Sequence, residues 1–326
     1  MRYSYYPGCS LGRNASAYHV SAMEVAKPLG VEFAEIDDWN CCGATEYISL
    51  NKNAAYALVA RNLVIAKSQP DNGKTLVAPC SACFLNLSKA EQYLTENEAF
   101  RERINLALKA GDMYYTPGGL SVRHLLDIFV NDVGYDAIAE KVVKPLKGLR
   151  IAPYYGCLIV RPGFQGVFDD PEQPDTLDKL MKVLGANVVD FPLKASCCGG
   201  HMTQISEPIA MDLLNRLLKN AADYKADIMV TLCPMCQLNL DAYQADVNRY
   251  FKTSYHIPVL YFTQLMGLAM GMSAAAMGIG KEFVDARPAL AKIGVEVPEP
   301  EPVKKKRPSK EQLPMPVMPG NEEVKP

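Results

Sequence analysis

Apolar positions along the chain fall into two patterns that take turns. Short β-branched and aromatic runs predict strands at residues 3–6, 31–36 and 75–78, and again at 150–155, 187–191 and 228–231. Between them, apolar residues at helical spacing predict helices at residues 15–29 and 54–67, and at 177–184 and 209–224. In the last of these, Ile209, Leu213, Leu214, Leu217 and Leu218 mark one face. Gly30 and Gly185 each stop a helix at its C-cap position. Strand alternating with helix predicts parallel sheets, hence an α/β fold. Because the same order of elements occurs twice, two similar domains related by a pseudo-two-fold axis are expected, over residues 1–146 and 147–296.

Two segments depart from that rhythm. Residues 257–280 form a run of 24 without a formal charge, long enough to span a bilayer. Pro258, Thr263, Gln264, Ser273 and the glycines 267, 271, 278 and 280 argue instead for a buried helix pair or a partner interface. Residues 298–326 hold 8 of the 23 prolines and the run Lys304-Lys305-Lys306-Arg307, partly neutralised by Glu299, Glu301 and Glu311. A tail over 297–326 is therefore expected to be disordered, a solvated or docking strip. The start of the chain has no basic stretch leading into an apolar one, so no secretory leader and a cytoplasmic location are expected.

Composition narrows the class. Apolar residues make up 49 % of the 326, enough for a core. Lys and Arg number 34 against 36 Asp and Glu, which excludes a broad nucleic-acid surface.

The ten cysteines change the picture most. Cys9, Cys41, Cys42, Cys80 and Cys83 read C-x31-CC-x37-C-x2-C, and Cys157, Cys197, Cys198, Cys233 and Cys236 read C-x39-CC-x34-C-x2-C. Their flanks repeat as well. Tyr5-Tyr6-Pro7-Gly8-Cys9 is echoed by Tyr154-Tyr155-Gly156-Cys157, and Cys41-Cys42-Gly43 by Cys197-Cys198-Gly199. Cys83-Phe84-Leu85-Asn86-Leu87 is echoed by Cys236-Gln237-Leu238-Asn239-Leu240. Such a duplication is not what scattered buried thiols produce. Every cysteine group lies at or just beyond the carboxyl end of an expected strand, the edge where open α/β sheets bind ligands. Five thiols per repeat should therefore converge.

Three chemistries can use them. A structural zinc site takes four ligands and leaves one thiol over in each repeat. A redox dithiol is suggested by Cys233-Pro234-Met235-Cys236 but leaves three without a role. An iron–sulfur cluster uses many soft thiolates and tolerates long gaps between them.

Two copies of this motif resemble the CCG-domain family of iron–sulfur proteins. Over about residues 1–285 the chain is most similar to that family's heterodisulfide reductase branch, in its B-type subunits. The resemblance implies two Rossmann-like CCG domains, each holding a non-cubane [4Fe-4S] cluster. Cys9, Cys41, Cys42, Cys80 and Cys83 would hold one cluster, and Cys157, Cys197, Cys198, Cys233 and Cys236 the other. It implies cleavage of a disulfide by one-electron steps at the two clusters. In methanogens the substrate is the coenzyme M–coenzyme B heterodisulfide; in bacterial relatives it is another disulfide or a protein-bound sulfur carrier. The alternative is a CCG-type electron-transfer subunit of a fumarate/succinate or lactate/glycolate oxidoreductase.

Proton delivery and electron supply complete the expectation. His201 is the nearest proton donor by sequence, with a surface or packing role as the plainer reading, and Arg13 and Lys194 are candidates for binding an anionic substrate end. The chain has neither a ferredoxin-type cysteine run nor a Gly-x-Gly-x-x-Gly after a strand. Electrons should then arrive from other subunits. The resemblance implies a ferredoxin-like C-type subunit, a flavin-containing A-type subunit, and a hydrogenase or formate dehydrogenase behind them.

Overall fold

In a computed structural model the described residues are 1–44, 47–69, 74–163 and 168–299. They form two four-stranded, all-parallel sheets. In the first, β1 (Arg2–Tyr5), β2 (Glu32–Glu35), β3 (Thr75–Ala78) and β4 (Ser121–His124) lie in the order β2-β1-β3-β4. In the second, β5 (Arg150–Tyr154), β6 (Asn187–Val188), β7 (Ile228–Thr231) and β8 (Val259–Tyr261) repeat it as β6-β5-β7-β8. The expected duplicated α/β fold is what forms, and the central strands are almost wholly buried, as parallel strands covered on both faces must be.

Helices cover both faces. Ser16–Ala26, continued by the 3-10 turn Lys27–Leu29, follows β1, and Thr176–Val183 follows β5. Lys52–Ser68 and Glu207–Asp223 precede β3 and β7. The stripe in the latter is rotated from expectation: Leu214, Leu217 and Leu218 are buried with Ala210 and Met211, whereas Ile209 is exposed.

The uncharged run at 257–280 is not a helix pair. It supplies β8, one helix, Phe262–Ala269, and then turns. Gly271, at φ +83°, takes the chain out of the helix. Every residue of Phe262–Ala269 is buried, which accounts for its lack of charge, and among the described residues no helix is long and apolar enough to cross a membrane. Residues 300–326 of the expected tail lie outside the described residues; Val297 packs against the core.

The halves exchange covering segments. Helix Phe262–Ala269 of the second half packs on Ser16–Ala26 of the first: Tyr18 stacks on Tyr261 at 4.3 Å and the Ser21 and Thr263 hydroxyls lie 2.6 Å apart. Further along, a Cβ on Gly278 would stand 3.0 Å from Ala17. Reciprocally, helix Tyr135–Ala139 packs on Thr176–Val183, with the Tyr135 hydroxyl donating to the Thr176 carbonyl at 3.0 Å. Both apolar clusters of the core draw residues from both halves.

Candidate metal centre

Three loops in each half rise from the carboxyl ends of neighbouring strands. Cys9 follows β1, Cys41-Cys42 follows β2, and Cys80 follows β3; Cys157, Cys197-Cys198 and Cys233 follow β5, β6 and β7. Each Cys-x-x-Cys opens a helix. Cys80 is the N-cap of Ser81–Glu96 and Cys233 that of Pro234–Ala242, so Cys83 and Cys236 sit in first turns. Helix N-termini favour negative charge and thus thiolate.

All ten thiols are free and all ten line a single cavity of about 370 Å³. In the first half, the sulfurs of Cys42 and Cys83 are 3.3 Å apart and those of Cys9 and Cys41 3.8 Å; in the second, Cys198 and Cys236 are 3.5 Å apart. Cys80 and Cys233, one from each half, both line that cavity, and each shifts the other's acidity. Among the described residues no group of three or more His, Cys, Asp or Glu is placed to hold a single metal ion.

Sulfur–sulfur contacts split the acidities. Contact with the Cys157 thiol brings Cys197 down to about 6. Cys42 is held well below the usual thiol range by Cys41 and Cys83, and Cys198 below it by Cys236. The partners move the other way: Cys83 is pushed well up by Cys42 and Cys80 with burial, and Cys236 by Cys198 and Cys233. Within each set some thiols are pushed toward the thiolate and others toward the thiol, and taking up metal would release the protons that remain.

Sequence reasoning missed the residues that hold these loops. The Tyr6 hydroxyl donates to the Asn40 carbonyl and the Tyr154 hydroxyl to the Ser196 carbonyl, both at 2.8 Å, pinning the residue before each Cys-Cys pair. The doubled tyrosines suggested a different pairing; counted from the leading cysteine, Tyr6 matches Tyr154, and Pro7 stands where the second half has Tyr155. Asn86 and Asn239 each donate at 3.2 Å to the carbonyl of the second cysteine of the pair, Cys42 or Cys198. Asn239 also reaches the Cys198 sulfur at 3.6 Å and the Gly200 carbonyl at 2.7 Å. Both asparagines lie in the echoed Leu-Asn-Leu strings, where the signal was present. Gly8 and Gly156 have φ of +75° and +69°, and a Cβ on either would stand 3.0 Å from the sulfur of Cys83 or Cys236. The bare Cα makes room for that sulfur.

The candidate polar residues separate. His201 lines the cavity, between Gly200 and helix Met202–Ile205. Lys194 does not: its ammonium pairs with Asp178 at 3.1 Å, which also accepts from the Tyr155 hydroxyl at 2.5 Å. Arg13 is exposed in a turn outside the lining. Neither cation is brought to the thiols.

The cysteine-rich domain model, CCG, matches this chain twice, at residues 3–88 and 151–241. The chain is 34 % identical over 284 residues to a protein of Wolinella succinogenes named as the membrane anchor of 8-methylmenaquinol:fumarate reductase, covering 87 % of this chain and 97 % of that one. It is 28 % identical over 298 residues to the B-type subunit of the ferredoxin/F(420)H(2)-dependent CoB-CoM heterodisulfide reductase of Methanosarcina acetivorans, covering 89 % and 96 %. A solved structure of a hypothetical protein from Helicobacter pylori shares the fold, with a TM-score of 0.68 at 14 % identity; the match covers 87 % of this chain and 52 % of that one.

Proposed function

The chain belongs to the cysteine-rich CCG family, and on that premise we propose that it is the disulfide-cleaving subunit of a heterodisulfide reductase-type complex. Its domains would be residues 1–146 and 147–296. Cys9, Cys41, Cys42, Cys80 and Cys83 would hold one non-cubane [4Fe-4S] cluster, and Cys157, Cys197, Cys198, Cys233 and Cys236 the second. The observation that carries this reading is the single cavity into which both thiol sets open. The donor set fits the cofactor: ten free soft thiols, arranged in pairs and not around one ion.

When bound, the clusters supply electrons one at a time, and cleaving a disulfide takes two electrons and two protons to give two thiols. The chain's own groups set the geometry. Because both sets line one cavity, a bond between two sulfur atoms could lie between them. Tyr6, Tyr154, Asn86 and Asn239 hold the loops at fixed depth, and Leu158 and Met235 displace water from the wall. His201, which lies on that wall, would hand a proton to a departing thiolate. Electrons would arrive from a ferredoxin-like C-type subunit and a flavin-containing A-type subunit, in the cytoplasm. Iron and sulfide analysis of anaerobically purified protein tests the cofactor: about eight irons are expected from two four-iron clusters, and four irons with stoichiometric zinc would exclude it.

One observation favours a second reading. The 34 % identical relative is named as part of a fumarate reductase, and on that model the chain passes electrons within such a complex. Disulfide turnover by the isolated protein with an artificial one-electron donor separates the two. Turnover supports cleavage. Its absence, with fumarate-dependent reoxidation of the clusters in the assembled complex, supports relay.

A further inference from the structure

We infer that the shared cavity accepts an uncharged, apolar-bodied redox substrate and excludes a multiply anionic one. This rests on the proposal above only in placing substrate at the cavity. Besides the thiols, the wall is built from Leu158, Met235, Tyr155, Ala82, Ser10 and His201, among others, and no Lys or Arg belongs to it among the described residues.

Of the three cations closest in sequence, Arg13 is exposed in a turn outside the lining and the other two are occupied. Lys194 is held by Asp178 at 3.1 Å, and Arg161 donates to the Ala195 carbonyl and to Glu172. A substrate carboxylate, sulfonate or phosphate entering the cavity would lose its water and meet no Lys or Arg among the wall's described residues, which disfavours its entry. Thiolate-ligated clusters carry net negative charge and would repel it further. Two exposed apolar side chains follow the lining in sequence. Leu50 is 80 % exposed and Ile205 62 % exposed. They end the short helices Tyr47–Leu50 and Met202–Ile205, which follow the lining residues Ala44 and His201.

Two substrate types share this chemistry, a neutral disulfide and a neutral quinone, and matched probes distinguish them. Anaerobic holoprotein is titrated with diphenyl disulfide against dianionic 2,2′-dithiodibenzoate, and with menadione against naphthoquinone sulfonate. Perturbation of the cluster EPR signal and equilibrium dialysis report binding. In whichever pair binds, the neutral member should bind at least about tenfold more tightly, a difference of about 1.4 kcal/mol. Equal or tighter binding of the anion, or no binding by any probe, overturns the inference. Binding of the neutral disulfide without its reduction would refute the proposed reaction and leave the charge selectivity standing. Leu158→Arg and Ala82→Lys each place a cation on the wall. In whichever variant retains its iron, the preference should shift toward the anion by about tenfold or more; an unchanged preference overturns the inference.

Discussion

The two halves agree in their sulfur frame and disagree in the wall around it. After the leading cysteine the first half has Ser10 and the second Leu158; inside Cys-x-x-Cys the first has Ala82 and the second Met235. The second half adds Tyr155 and His201 to the lining, where the corresponding positions of the first hold Pro7 and Thr45. The loop anchors, by contrast, recur in register: Tyr6 with Tyr154, Asn86 with Asn239, Gly8 with Gly156. The thiol frame and its anchors are duplicated; the rest of the lining has diverged. The two sides of the cavity therefore differ in the side chains they present.

The largest effect should come from removing the frame itself. Cys42→Ala and Cys198→Ala should each cost about half the iron and abolish disulfide turnover, with the double variant little worse than either, as expected for groups acting as a unit. Near-parental turnover in either single variant would assign cleavage to one half and make the other a relay. Next come Gly8→Ala and Gly156→Ala. Each combines a left-handed backbone with a Cβ 3.0 Å from a sulfur, and should destabilise by about 1–3 kcal/mol, with loss of iron from its own half. Parental iron content in both would show that the sulfurs shift freely.

Asn239→Ala should lower the melting temperature more than Asn86→Ala. The first removes donation to two carbonyls and a sulfur, the second to one carbonyl, at about 1–3 kcal/mol for each buried group left unpaired. Equal melting shifts would mean that the extra contacts of Asn239 contribute nothing. Smallest, Tyr6→Phe and Tyr154→Phe should cost about 0.5–1.5 kcal/mol each, by the same amount within error because their bonds match at 2.8 Å. A marked inequality in denaturant midpoints would break the equivalence of the two anchors.

The inner strands and cysteine positions were legible because apolar runs and repeated motifs carry them directly. The edge strands β4 and β8 were not. Ser121–His124 is half polar and reads as a loop, although it pairs along its whole length with β3. Val259–Tyr261 is three residues inside a uniformly apolar stretch, where no period distinguishes strand from helix. β6 shrank from the expected 187–191 to Asn187–Val188, its continuation turning away toward Cys197. At the site, the thiols were found by spacing alone, whereas the exclusion of Lys194 depends on Asp178, sixteen positions earlier, which no motif connects to it. The doubled tyrosines misled because identical letters sit one position out of structural register.

The crossed covering segments bear on how such a chain could arise and be made. Because residues near 262–278 shield the helix after β1, the amino-terminal sheet leaves the ribosome with an uncovered apolar flank and closes only once nearly the whole polypeptide has emerged. A solitary ancestral copy would have met the same need by trading arms with a twin, forming a swapped homodimer with its cysteine sulfurs already face to face. Fusion of two such genes would then have tethered an existing pair, freeing each lining to drift while the trade itself persisted.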